Sequence, residues 1–284
     1  MRKFFLLSLT LGLCLLCSCS PRHFIVFDTM HYRGKPDLSG EGLSRIKLIY
    51  ENKLVSGGQL DWDKIRTQVR QTREGGFKFV SIDIESWYDW RLKVPPEEVK
   101  LRLDSLFRAF KAEIPDCRIG NYGVPVQNLN VLRYVAYAGG KKPEEIPDRW
   151  MASSRVREPA GEVCDILLPS LYIYGFDVDQ WTEDLRTTMD YIRKRYPGKP
   201  VYVYLWPQCY DHKMNPDYMK FLSGDRMERM LEACWKYTDG VILWASGVEN
   251  HRDRPPVYWH DPRLQDCWSG VCRFLRRHRI RAVD

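Results

Sequence analysis

The chain has 284 residues, 44% of them hydrophobic and 29% charged, with a formal charge of +7. That balance suits a folded domain with a sizeable core and excludes global disorder, and the length is within reach of one α/β barrel. The modest basic excess, part of it in the run Arg273 to Arg281, reads as a solvated helix end more readily than as a polyanion-binding field, so nucleic acid is not an expected partner.

The first element is an export signal. Arg2 and Lys3 precede an apolar run from Phe4 to Leu16 that is too short to span a bilayer. The stretch Leu16-Cys17-Ser18-Cys19 resembles a bacterial lipobox, which would make Cys19 the lipidated mature N-terminus; an ordinary signal peptide is the alternative. Residues 1–19 are thus read as signal and 20–284 as one domain, exported and held to a membrane by its N-terminal lipid. No later segment is apolar for long enough to span.

Beyond the signal, apolar runs rich in β-branched and aromatic residues alternate with helical patterns, the mark of parallel βα units. Seven strands are expected: His23–Asp28, Ile46–Tyr50, Phe77–Glu85, Arg118–Val124, Asp165–Tyr174, Pro200–Trp206 and Gly240–Ala245. Between them fall apolar stripes at helical spacing. Asp61 caps one through Ile65, Val69 and Thr72, and Pro95 and Pro96 open another through Val99, Leu103, Leu106, Phe107 and Phe110. A third runs Trp181, Leu185, Met189, Ile192; a fourth Met227, Met230, Leu231, Cys234. Residues 138–163, rich in Gly, Pro and charge, read as a long excursion between strand and helix. With no internal repeat and no GxGxxG turn after an early strand, a closed (β/α) barrel of seven or eight parallel strands fits better than an open dinucleotide-binding sheet.

Six cysteines follow Cys19: Cys117, Cys164, Cys209, Cys234, Cys267 and Cys272. An exported chain could pair them in up to three disulfides, or leave several as buried thiols. Neither paired CxxC spacing nor HExxH is present, so no metal or other cofactor is expected.

The chemistry concentrates in Ser81-Ile-Asp-Ile-Glu85. Residues two apart on a strand share a face, so Val80, Ile82 and Ile84 should meet the surrounding helices while Ser81, Asp83 and Glu85 look into the barrel mouth. Two inward carboxylates repel, and one pKa should rise, which suits general acid catalysis at a glycosidic bond. Because both approach from one side, Asp83 is badly placed to attack opposite Glu85. Substrate-assisted catalysis follows: Glu85 protonates the leaving oxygen, an N-acetyl carbonyl attacks, and Asp83 orients the acetamido group. Other strand ends offer aromatics on which sugar faces can stack: Tyr122, Tyr172 with Tyr174, Tyr204 with Trp206, and Trp244. Trp87 and Trp90 extend that platform or close the rim.

These segments resemble the hyaluronidases of the bee-venom and mammalian type. Ile82–Trp87 is similar to their IDWEEW, Gly120–Pro125 to their tyrosine-bearing strand, Pro169–Tyr172 to PSIY, Lys199–Tyr204 to their fifth strand and Gly240–Ser246 to GVVLWGS. The resemblance, spanning roughly 77–250, implies Glu85 as acid/base, Asp83 as acetamido orienter, and Tyr122, Tyr172 and Trp244 around the acetamido group. Ile84 and Ser86 depart from the family's Trp and Glu. It implies a glycosidase acting on a polysaccharide such as hyaluronan or chondroitin, and the chain is expected to act as a monomer. Two other readings stand: a peptidoglycan muramidase, which Gly57–Ile65 faintly resembles, and a catalytically silent glycan-binding lipoprotein. Around the site, Asp177 and Asp179 are read as helix capping, Asp89 and Arg91 as a surface pair, and Glu249, His251 and Arg252 as a loop that could reach a uronate.

Overall fold

The computed structural model describes residues 23–88, 94–210, 212, 214–250 and 254–283. Cys19, Asp89, Trp90, Arg91, His251 and Arg252 lie outside them. The strands are β1 Ile25–Met30, β2 Ser44–Arg45, β3 Lys47–Tyr50, β4 Val55–Ser56, β5 Gln59–Leu60, β6 Phe79–Asp83, β7 Arg118–Asn121, β8 Tyr202–Leu205 and β9 Gly240–Ala245. The helices are α1 Trp62–Glu74, α2 Pro96–Glu113, α3 Leu129–Ala138, α4 Ile146–Arg155, α5 Glu158–Val163, α6 Val178–Arg195, α7 Gly224–Tyr237 and α8 Pro262–His278.

Two parallel sheets make the frame, ordered β2-β1-β9-β8 and β3-β6-β7. Only Ile46 separates β2 from β3, so 44–50 runs as one interrupted strand from the first sheet to the second. On the far side, bridges join Tyr122 to Leu168, Leu167 to Val201 and Ser170 to Tyr204, all parallel. They carry the ring from β7 through 165–170 to β8 and close a seven-stranded (β/α) barrel. The expected strand Asp165–Tyr174 therefore exists as single bridges, because Pro169 has no N–H to give a continuous ladder. The hairpin β4–β5 is an antiparallel addition beside the mouth.

Each expected helical stripe is buried, including Ile65, Val69 and Thr72 on α1 and Leu103, Leu106 and Phe110 on α2. Asp61 accepts from Lys64 N at 3.2 Å and caps α1; Asp177 does the same for α6 through Gln180 N at 2.9 Å. Asp179 instead pairs with Arg229, and Glu249 with Arg263 at 2.6 Å. The 138–163 excursion is mostly helical, built from α4 and α5. All six cysteines are free, and burial pushes the thiols of Cys117, Cys164 and Cys209 up to about 12. The basic C-terminal run is paired in part: Arg273 bonds Glu228 and Asp225, and Arg277 bonds Glu228 and Glu232, across α7 and α8. Among the described residues no helix is long and apolar enough to cross a membrane.

Inside the barrel, side chains stack in layers. The floor holds Phe27, Phe79 and Tyr202, with ring centroids 5.0 to 6.2 Å apart. Gly240 leaves room for it: a Cβ there would stand 2.2 Å from Ile25 O and 2.9 Å from the Tyr202 ring. Above the floor, Ser81 Oγ and Tyr204 Oη share a hydrogen bond of 2.6 Å across the barrel. Gly240→Ala should therefore cost about 1–3 kcal/mol by overpacking, read as a lower urea midpoint, whereas Gly40→Ala, with nothing within 4 Å, should leave the midpoint close to wild type.

Candidate active site

The register that closes the ring also decides what reaches its mouth. Tyr50 pairs with Asp83 and Leu48 with Ser81, while Ile82 pairs with Asn121. Val80, Ile82 and Ile84 are fully buried on the outer face, which leaves Ser81 and Asp83 inward. Glu85 stands two residues beyond β6, and its carbonyl accepts from Tyr88 N at 3.0 Å to start a 3-10 turn. Asn121 holds the link between the two carboxylates: its amide oxygen accepts from Ile84 N at 3.4 Å, and its amide nitrogen donates to Ile84 O at 3.3 Å.

Asp83 and Glu85 line a cleft of about 260 Å³ together with Tyr122, Tyr172, Tyr204, Trp206 and Trp244, and with Leu48 and Tyr210. The aromatic wall is continuous. Tyr172 lies nearly parallel to Trp244, centroids 5.6 Å apart, and edge-on to Trp206 at 5.4 Å; Trp206 meets Trp244 at 4.8 Å. Tyr122 packs edge-on to Tyr204 at 4.9 Å and donates to Ser170 Oγ at 3.1 Å. At the rim, Trp244 Nε1 donates to Tyr50 Oη at 3.2 Å, and Tyr50 Oη stands 3.4 Å from His31 Nε2.

Electrostatics separate the two carboxylates. Asp83 is pushed up to about 7, first by burial, then by the charges of Glu85 and Glu51. Its Oδ1 is buried and has no hydrogen-bond partner among the described residues. Burial also raises the phenols of Tyr122, Tyr172 and Tyr204, which stay protonated and able to donate. Arg157 stands over the Tyr88 ring at 5.1 Å; burial lowers its pKa, and the nearby Glu85 carboxylate opposes that.

Two expected platform residues are elsewhere. Trp87 turns inward beneath the rim, donating to Gly58 O at 3.1 Å under the Arg102 guanidinium, because the 3-10 turn ends the strand alternation that parity assumed. Tyr174 stacks flat on Tyr134 at 4.8 Å, its N–H bound to Asn130, since the chain leaves the barrel wall after Tyr172. Conversely, Tyr50, Tyr210, Ser170, Asn121 and Glu51 were not singled out by sequence; only Tyr50, an aromatic at a strand end, carried a local signal. A larger hollow of about 740 Å³ lies against α5 and α6, but both acids that line it are already paired, Glu158 with Tyr191 and Arg195 and Glu162 with Lys100. Among the described residues, no group of three or more His, Cys, Asp or Glu is arranged to hold a metal ion.

No family model and no curated protein sequence matches this chain. Among solved structures, it is similar to a chitinase from Chromobacterium violaceum ATCC 12472, at 12% identity and TM-score 0.46, over 88% of this chain and 92% of that one. It is also similar to a hyperthermostable endo-1,4-beta-D-mannanase from Thermotoga petrophila RKU-1, at 10% identity and TM-score 0.47, over 88% and 99%. A third is the spore cortex-lytic enzyme SleL of Bacillus megaterium QM B1551, at 9% identity and TM-score 0.46, over 92% and 68%. At these identities the likeness concerns the course of the chain and not the residues of the cleft.

Proposed function

We propose that the protein is a glycoside hydrolase that cleaves N-acetylhexosamine-containing polysaccharide, a glycosaminoglycan such as hyaluronan or chondroitin, by retaining, substrate-assisted catalysis. One observation carries this reading. Among the described residues the only carboxylates lining the cleft are Asp83 and Glu85, neighbours on one wall, and the rest of the lining is Leu48 and aromatic rings. A carboxylate nucleophile needs the face of the sugar opposite the acid. Here that face would meet tyrosines and tryptophans, so the attacking group must come with the substrate.

The protons balance as follows. Below about pH 7 the buried Asp83 holds a proton. An acetamido N–H docking against Asp83 favours its ionised form, and the proton passes to Glu85. Glu85 gives it to the glycosidic oxygen as the C1–O bond breaks and the acetamido carbonyl oxygen bonds to C1. The cyclic cation is then stabilised by ionised Asp83 and by the electron-rich faces of the aromatic wall. Glu85 next takes a proton from water, which attacks C1 and opens the ring. Two displacements at one carbon retain its configuration.

Glu85→Gln should reduce turnover about 100- to 10,000-fold while glycan binding, measured by calorimetry, persists on the aromatic wall. A thiazoline analogue of the cyclic intermediate should inhibit the wild type, and product NMR should show the retained anomer. Inversion, or a glycosyl adduct on Asp83, would defeat the mechanism. A panel of hyaluronan, chondroitin, chitin oligomers and peptidoglycan separates the glycosaminoglycan reading from a muramidase, and cleavage of none of them would favour a binding protein.

The proton count sets a pH dependence. Asp83 is raised, so the shared proton is present below about 7 and lost above it. The value of kcat/KM should fall as pH climbs through that range, roughly tenfold per unit. An unchanged rate up to pH 9 would show that no shared proton is needed.

We also propose that the leader places the enzyme outside the cytoplasm with Cys19 lipidated. In a bacterial host Cys19→Ala should move the protein from the membrane to the soluble fraction, and unchanged fractionation would remove the anchor.

A further inference from the structure

The carboxylate pair has a third acidic neighbour that does not line the cleft. Glu51 follows Tyr50 at the end of β3, and Tyr50 is the register partner of Asp83. Its carboxylate accepts from both donors of Ser86, the backbone N–H at 3.2 Å and the hydroxyl at 2.5 Å. Ser86 immediately follows Glu85. Two oxygens on one residue's two donors fix the orientation of that peptide, and so the direction in which the preceding side chain leaves the backbone. Ser86 also begins the 3-10 turn, so the clamp acts where the strand ladder has ended.

We propose that Glu51 is a positioning residue for the acid pair: it clamps Ser86 so that Glu85 is held at the mouth of the cleft, and it presents a fixed negative charge to Asp83 from the adjacent strand. This rests on the reading of Asp83 and Glu85 as the catalytic pair. Around Asp83 stand Glu85 two residues further on, Tyr50 at the end of β3 with Glu51 just after it, and the phenols of Tyr122, Tyr172 and Tyr204 from the facing walls; these last stay neutral. Among the described residues no cation figures in what raises Asp83, whereas Arg157 acts on Glu85. Glu51 and Arg157 thus bias the pair in the same sense, proton on Asp83 and charge on Glu85. The resemblance noted above has a carboxylate at position 86 itself; here a serine stands at 86 and the carboxylate reaches it from the next strand.

The two roles come apart in two substitutions. Glu51→Gln removes the charge but keeps an oxygen acceptor for Ser86; Glu51→Asp keeps the charge but shortens the reach. Asp83 is followed by carboxyl carbon NMR in the unliganded, aspartate-labelled protein, with Asp83→Asn assigning its resonance, and turnover is measured on the polysaccharide. In Glu51→Gln the Asp83 titration midpoint should move down by about half a unit or more, carrying the alkaline limb of kcat/KM with it. In Glu51→Asp the midpoint should stay near wild type while kcat drops about 10- to 100-fold with little change in KM, because Glu85 is misplaced and binding is not. An unmoved Asp83 midpoint in Glu51→Gln, or wild-type kcat in a folded Glu51→Asp, overturns the corresponding role. If the wild type cleaves no glycan, the functional reading fails, and the Asp83 midpoint in Glu51→Gln still decides whether Glu51 acts on it.

Discussion

A carboxyl group withdrawn from water is the constraint on which this site turns. Closing seven strands into a ring puts every second side chain of β6 inside, and Asp83 is carried there next to Glu85 with no basic side chain among the described residues raising or lowering it. Its folded pKa lies above its unfolded one, so the stability it contributes is present at acid pH and lost as pH rises toward 7. At neutral pH the fold carries a strained acid, and the surrounding structure must hold it. The barrel floor of Phe27, Phe79 and Tyr202, the Ser81–Tyr204 hydrogen bond and the double Asn121–Ile84 bond supply that support directly below and beside it.

Much of this was legible in the alternation of one strand. Val80, Ile82 and Ile84 are aliphatic and Ser81, Asp83 and Glu85 polar, so parity alone assigns the inner and outer faces, and the same rule carries Tyr122, Tyr172, Tyr204, Trp206 and Trp244 to one mouth. The rule ends where extended backbone ends. Trp87 sits in a 3-10 turn and Tyr174 beyond the barrel wall, and both point away from the cleft despite lying close in sequence to residues that line it. Pro169 likewise interrupts a strand whose composition reads as continuous.

Other features had no local signature. Nothing in Glu51-Asn-Lys announces that its carboxylate binds Ser86, and nothing in Gly120-Asn121 shows that the amide will bracket Ile84; both pairings arise only when neighbouring strands come into register. The ion pairs of Arg273 and Arg277 with α7 are of the same kind. A run of like charge reads as exposed until the opposite charges that face it are known. Nor do cysteine counts reveal partners: the six cysteines among the described residues are all free, and five of them are buried.

The two ends of the described chain lie at the same end of the barrel. His23 leads directly into the start of β1, and after α8 the chain returns under the ring, where Val283 N donates to Ser44 Oγ at 2.9 Å. The cleft opens at the opposite pole, where the parallel strands finish. Whatever holds the protein by its N-terminus therefore holds it by its base. If the proposed N-terminal anchor holds, a short tether would keep the mouth turned outward, at about the height of the barrel above the supporting surface, and a long polymer could thread across it without first passing beneath the protein.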